Sequence, residues 1–188
     1  MTAELTRVRF SVADYHRMGE VGILTADDRV ELIDGEIVSM SAVGSLHAGT
    51  VNRLNRFLIR TLGDRAVVAV QNPVQLSDDT EPEPDIAVLQ PRADCYTTAH
   101  PLPADVLLLI EVGDSLFLAD RRAKLPRYAR AEIGESWLVN LEAGAIERHT
   151  TPEPSGYREI ATLTRGQRLA STVFADLTLD GDQLLGQA

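Results

Sequence analysis

The alternation of apolar and polar positions predicts a chain that switches repeatedly between helix and strand. Ser11, followed three residues later by Asp14, reads as a helix start, with the helix ending near Gly19 or Gly22. The segment RVELIDGEIVSMS alternates around Asp34-Gly35, a dipeptide that takes positive φ easily, and predicts a hairpin with a two-residue turn. Ser45 is placed to cap a helix to about Leu62, with Val51, Leu54, Leu58 and Leu62 as its buried stripe and Gly63 as its stop. Strands are expected at Ala66–Gln71, Val74–Leu76, Asp85–Leu89 and Val106–Val112. The last, VLLLIEV, is apolar nearly throughout, as a strand covered on both faces would be. A helix over Leu118–Arg130 follows, with Leu118, Leu125, Tyr128 and Ala129 facing inward. Strands return at Ser136–Leu141 and Ala145–Thr150, joined by a turn at Glu142–Gly144, then at Tyr157–Leu163 and from Val173 onward.

The order helix, three strands, helix, strand predicts an α/β fold with a mixed sheet between helices, an N-terminal helix and hairpin before it and further strands after it. A chain of 188 residues suits a single domain over 1–188 with one sizeable core. The polar, proline-bearing stretches 78–84 (DDTEPEP) and 91–103 read as loops within it, because strand-like runs flank both.

Composition narrows the class. The longest apolar run, Val106 to Ile110, is too short to span a bilayer. The first twenty residues hold no apolar core followed by a cleavage site, so a cytoplasmic protein without a membrane anchor is expected. Cys95 stands alone, which excludes an internal disulfide and a cysteine-built zinc site. The net charge of −10 opposes broad attraction to nucleic acid. Two stretches run against it: Arg53, Arg56, Arg60 and Arg65, and Arg121, Arg122, Lys124, Arg127 and Arg130. They read either as solvated helix faces or as local phosphate-binding patches.

Chemistry is suggested where acids interrupt apolar strands. Asp85 opens a strand directly after Pro84, and Glu111 lies near the end of VLLLIEV. A carboxylate in so apolar a strand is costly unless it is paired, hydrogen-bonded or bound to a cation. If the two strands are neighbours, their acids can jointly hold a hard cation, which prefers oxygen ligands. The plainer reading is a pair of strand-end acids in water or paired with arginine. Lys124 lies four residues after Asp120, on the helix that follows Glu111. That spacing alone describes a surface ion pair. If the helix returns over the end of the Glu111 strand, the same ammonium can orient or deprotonate a water, or neutralise charge on a phosphorane-like transition state.

On these residues the chain resembles the Uma-type family of restriction-endonuclease-like proteins, within the PD-(D/E)XK nuclease superfamily. The matching segments are RVELIDGEIVSMS with His47 shortly after, EPEPDIAVL, and LLIEVGDSLFLADRRAKLPRYARAEIGESWLVNLEAGAIERHT, in the family's order and spacing. The resemblance implies a restriction-endonuclease-like core and a metal-dependent phosphodiesterase acting on DNA, using Mg²⁺ or Mn²⁺. It assigns Asp85 to the Pro-Asp half-motif, Glu111 to the second half-motif and the lysine role to Lys124. The backbone carbonyl of Val112 is implied as a further metal ligand. Glu31 and His47 match recurrent positions and are expected to line the site. Gly113 stands where the superfamily usually has its lysine, Glu132 where relatives tend to have glycine, and Asn140 where an aspartate is common.

Arg53, Arg56, Arg121 and Arg122 are the candidates for holding a DNA backbone. A homodimer is expected, since paired sites would allow both strands to be cut. Two other readings stay open: a non-catalytic nucleic-acid-binding or interaction module of the same fold, and an enzyme for another phosphate ester. Elsewhere the signals are weak. Cys95 with His100 shows no base–nucleophile arrangement, and Ser115 after Asp114 lacks a Gly-x-Ser-x-Gly turn. Asp27-Asp28 and Asp78-Asp79 read as loop acids, and Tyr128, Trp137 and Leu138 as core.

Overall fold

A computed structural model describes residues 7–25, 27–40, 42–113 and 118–184, without the side chains of residues 119, 120, 183 and 184. Asp114 and Ser115, and the Asp120 side chain expected to face Lys124, lie outside the described residues. Ser11 caps the first helix, α1 (Val12–Glu20), in a reciprocal capping box with Asp14. The hairpin forms as β1 (Val30–Ile33) and β2 (Glu36–Ser39), with Ile33 opposite Glu36. Its turn residues Asp34 and Gly35 take φ of 48° and 75°. Both values are positive, as a two-residue turn matching strand twist requires. Asp34-Gly35 docks on the 78–81 loop: the Gly35 N–H donates to Asp79 O, and the Asp34 N–H to Thr80 Oγ1.

Helix α2 (Ser45–Leu62) carries the expected stripe, all four residues buried. Its N-cap is Gly44 rather than Ser45, and no side chain caps it. Gly63 ends the helix at φ 53°. Six more strands and a helix follow: β3 (Val67–Val70), β4 (Ile86–Leu89), β5 (Val106–Gly113), α3 (Leu118–Arg130), β6 (Glu135–Asn140), β7 (Ala145–Glu153) and β8 (Gly156–Thr164). Among the described residues these strands form one six-stranded sheet in the order β3-β4-β5-β6-β7-β8. Only the β5–β6 pair is parallel, because α3 is the crossover between them. The mixed sheet between helices is therefore present.

Strand periodicity sorts the core into two layers. Ile86, Val88, Leu108, Ile110, Val112, Trp137 and Val139 pack with the α2 stripe. Ala87, Leu89, Leu109 and Leu138 pack with Leu125 and Tyr128 of α3 on the other face. Tyr128, Trp137 and Leu138 are fully buried, as core readings of them require.

Three expectations need correction. Val74–Leu76 forms no strand: Pro73 and Pro82 interrupt any ladder, and the Val74 and Leu76 N–H groups bond to Pro82 O and Thr80 O in a local loop. The region from Val173 is a turn, and the strand pair there is β9 (Arg168–Ala170) with β10 (Thr178–Asp180), leading to a short α4 (Gly181–Leu184). Strand β7 continues three residues past Thr150. Beyond that point it has left β6, so Pro152 pairs only with Tyr157 of β8 and its missing N–H breaks no second ladder.

The two departures outside the acids are turns. Glu132 takes φ 61°, with its N–H bonded to Ala129 O and that of Ile133 to Tyr128 O. This is a Schellman close to α3, at the position where glycine is most at ease. Asn140 Oδ1 accepts the Ala143 N–H in the β6–β7 turn.

Candidate functional site

The β4–β5 register pairs Ile86 with Ile110 and Ala87 with Leu109. One step further it sets Asp85 opposite Glu111, with both side chains on the α3 face of the sheet. Both are buried, at 1% and 0% exposure. Asp85 Oδ2 accepts the Val112 N–H at 2.9 Å, which fixes the carboxylate at the end of β5. His47, in the first turn of α2, brings Nε2 to 3.1 Å from the same oxygen, although neither ring nitrogen is aligned for a hydrogen bond.

Helix α3 does return over the end of β5. Lys124 Nζ donates to Glu31 Oε2 at 2.7 Å and to Glu83 O at 3.4 Å, and stands 3.6 Å from Glu111 Oε1. Glu31 Oε2 also accepts the Glu83 N–H, tying β1 to the Pro-Asp segment. The structure thus brings Asp85, Glu111, Lys124, Glu31 and His47 together. A cleft of about 400 Å³ between the hairpin and α3 reaches Glu31, Arg121 and Lys124 from outside.

Two members of this cluster were not expected in it. Arg121 spans the acids, with NH1 3.1 Å from Glu111 Oε2 and NH2 3.5 Å from Asp85 Oδ1. Its side chain is only 13% exposed, so it is turned inward rather than presented as a surface phosphate contact. Tyr128 donates its hydroxyl to Glu111 Oε1 at 2.5 Å. The signal was available: residues 121, 124 and 128 are spaced i, i+3, i+7 and share one face of a helix. The remaining phosphate candidates are outside the pocket. Arg122 pairs with Glu147 at 2.6 Å, Arg53 donates to Thr50 Oγ1, and Arg56 is exposed on α2. Arg127 and Arg130 hold Asp34 at the hairpin turn.

Position 113 leaves little room for a side chain. A Cβ there would lie 3.1 Å from Leu118 Cα and 3.3 Å from Leu118 Cδ1. The start of α3 packs so closely here that a side chain would require it to shift by a few tenths of an ångström.

The two carboxyls are driven apart electrostatically. Burial opposes ionisation of Asp85, but His47, Arg121 and the Val112 N–H outweigh it and hold the group below the ordinary carboxylate range. Burial raises Glu111, with Asp85 adding to the rise, while Lys124 and Arg121 pull the other way without cancelling it. Such a split is how one site separates acid–base roles.

A group raised in the folded state contributes stability at low pH that is lost as pH rises through its folded value. The stability of the native chain relative to Glu111→Gln should therefore fall as pH rises above the ordinary carboxylate range, by at most about 1.4 kcal/mol per pH unit. Urea denaturation of both proteins in a chelator measures this; a flat difference would contradict the raised value.

Three buried carboxylates face two cations in the cluster, leaving a formal excess of one negative charge. Glu111 Oε2 has no hydrogen-bond partner. A buried oxygen that faces Arg121 without an aligned hydrogen bond, beside a second carboxylate and in a pocket short of positive charge, fits a divalent cation bound by oxygen ligands.

Two acids on adjacent strands and a lysine from the crossover helix thus meet on one face of a mixed sheet. The chain belongs to the Uma2 family, described as "putative restriction endonuclease", whose model matches residues 12–181. A similar solved structure is a "putative nuclease belonging to DUF820" from Anabaena variabilis ATCC 29413. The two share 14% identity and a TM-score of 0.76, over 94% of this chain and 97% of that one. No curated protein matches significantly. Among the described residues, no helix is long and apolar enough to cross a membrane.

Proposed function

We propose that the chain is a metal-dependent endonuclease that hydrolyses phosphodiesters in DNA, acting as a single domain over its whole length. The observation that carries this reading is the convergence of Asp85, Glu111 and Lys124, from β4, β5 and α3, at one buried cluster opening to a cleft. Asp85, Glu111 and the Val112 carbonyl would hold Mg²⁺ or Mn²⁺. Such an ion supplies positive charge against the scissile phosphate and makes a water more acidic.

The chain's own residues do the rest. Val112 N–H and His47 hold Asp85 in place, and Tyr128 does the same for Glu111. Lys124 keeps its charge close to Glu111, where it can orient the attacking water and offset charge on the pentavalent phosphorus. Glu31, bonded to that ammonium, is placed to accept the proton released as the water oxygen bonds phosphorus, while the P–O bond to the leaving nucleotide breaks and its alkoxide takes a proton from solvent. Arg121 can exchange the carboxylates for a phosphate oxygen, since a guanidinium matches either partner. Arg53, Arg56 and Arg122 would hold the DNA backbone further out. A cytoplasmic homodimer remains the expected working form.

Nicking of supercoiled plasmid by the purified chain tests the reading. Cleavage in Mg²⁺ or Mn²⁺ that a chelator abolishes is expected; none in either metal overturns it. Lys124→Met should lower the rate by about 10²-fold while leaving metal affinity little changed. An unchanged rate, measured in the same assay, would remove Lys124 from the mechanism.

One observation favours a second reading, a nucleic-acid-binding or interaction module. Arg121 already bridges both acids, and a closed ion network can serve structure alone. Calorimetric titration separates the two. Mg²⁺ binding lost in Glu111→Gln supports the enzyme, whereas DNA binding indifferent to metal supports the module.

A further inference from the structure

A second cluster lies upstream of Asp85, on residues the site above does not use. Glu81 is buried at 1% exposure, its N–H bonded to Leu32 O. Its Oε1 is hydrogen-bonded to His16 Nε2 of α1 at 2.7 Å, while Oε2 has no hydrogen-bond partner. His100, from the 91–103 loop, sets its ring edge-on to that of His16, with centroids 5.6 Å apart. One ligand atom from each of His16, Glu81 and His100 lies within 4.8 Å of the others. Both imidazoles are exposed and line an open groove shared with Tyr15, Gln71 and Glu83.

A buried carboxylate oxygen without a partner is costly, and a cation removes that cost. The donor set decides which cation. Two imidazoles with one carboxylate suit Zn²⁺ and its neighbours in the first transition row, whereas Mg²⁺ prefers oxygen alone. Tetrahedral zinc with ligands about 2.0–2.2 Å away needs its ligand atoms roughly 3.3 Å apart. The closure required is small, and the two exposed rings can supply it by side-chain rotation.

We propose that His16, Glu81 and His100 form a second metal site for a zinc-class divalent ion, with one coordination position open to the groove. The ion joins α1, the 78–84 loop and the 91–103 loop, and so braces the segment that carries Asp85 four residues later. It is distinct in ligand chemistry and position from the carboxylate pair, and it stands whether or not the chain cleaves DNA.

The test is zinc titration of the metal-stripped full chain in competition with a chromophoric chelator. One tight equivalent is expected, retained in Glu111→Gln and weakened at least about 10- to 100-fold in His16→Ala and in His100→Ala. Both histidines are exposed, so these variants should fold, which circular dichroism verifies. Zinc should also raise the melting temperature of the native chain and not that of His16→Ala. The proposal is overturned by the absence of tight binding in the native chain, or by unaltered affinity in both histidine variants. Loss in Glu111→Gln with retention in His16→Ala would likewise overturn it, by placing the ion on the carboxylate pair.

Discussion

Asp85→Asn is expected to keep the fold and lose about 10³-fold or more of the metal-dependent cleavage. The substitution is nearly isosteric, and the amide oxygen can still accept the Val112 N–H that the carboxylate accepts now. What disappears is one of the two negative charges facing each other across β4 and β5. With Asp85 neutral, the cluster of three carboxylates and two cations loses its excess negative charge. A divalent cation would then gain little by entering, and Arg121 would pair with Glu111 alone. Cleavage and Mn²⁺ affinity should fall together, while the melting temperature changes by only a few degrees. Equal plasmid nicking by Asp85→Asn and native protein would show that the acid pair is not where the chemistry happens.

Much of this site was legible because its acids break a strong pattern. Glu111 stands out in VLLLIEV, and Asp85 follows a proline, so both could be located without coordinates. Their register was not legible, since strand pairing depends on contacts far apart in sequence. Arg121 and Tyr128 were visible as residues, but their contacts with the acids were not. A buried arginine reads like a surface one until its counter-charges are located, and a tyrosine hydroxyl leaves no trace in an apolar periodicity. The helices and long strands followed their patterns closely. The errors fell on Val74–Leu76, where prolines defeat an apolar run, and on β9, whose three residues are too few to show alternation. His16, Glu81 and His100 are separated by 65 and 19 residues in the sequence, with no spacing motif to link them.

The largest loss of stability should come from a residue remote from the acids, Glu135→Ala. Glu135 opens β6 and is fully buried. Its Oε1 accepts the indole N–H of Trp137 at 2.6 Å. Its Oε2 accepts from Ser171 Oγ, the Thr172 N–H and hydroxyl, and the Val173 N–H, which together pin the turn between β9 and β10. Alanine would strand a buried indole N–H and two backbone donors, and open a cavity beside the core. Each unsatisfied donor costs about 1–3 kcal/mol, so a loss of about 3–5 kcal/mol is expected after partial rehydration of the turn. Glu135→Gln should lose less, because it fills the space, but its amide nitrogen cannot accept and must face one donor. Urea denaturation followed by the fluorescence of Trp137, the chain's single tryptophan, reads both effects. Trp137 pairs with Ile110 on the strand that carries Glu111, so the same carboxylate couples the C-terminal strands to the floor of the site. A loss below about 1 kcal/mol for the alanine variant would mean that solvent, rather than Glu135, satisfies those donors.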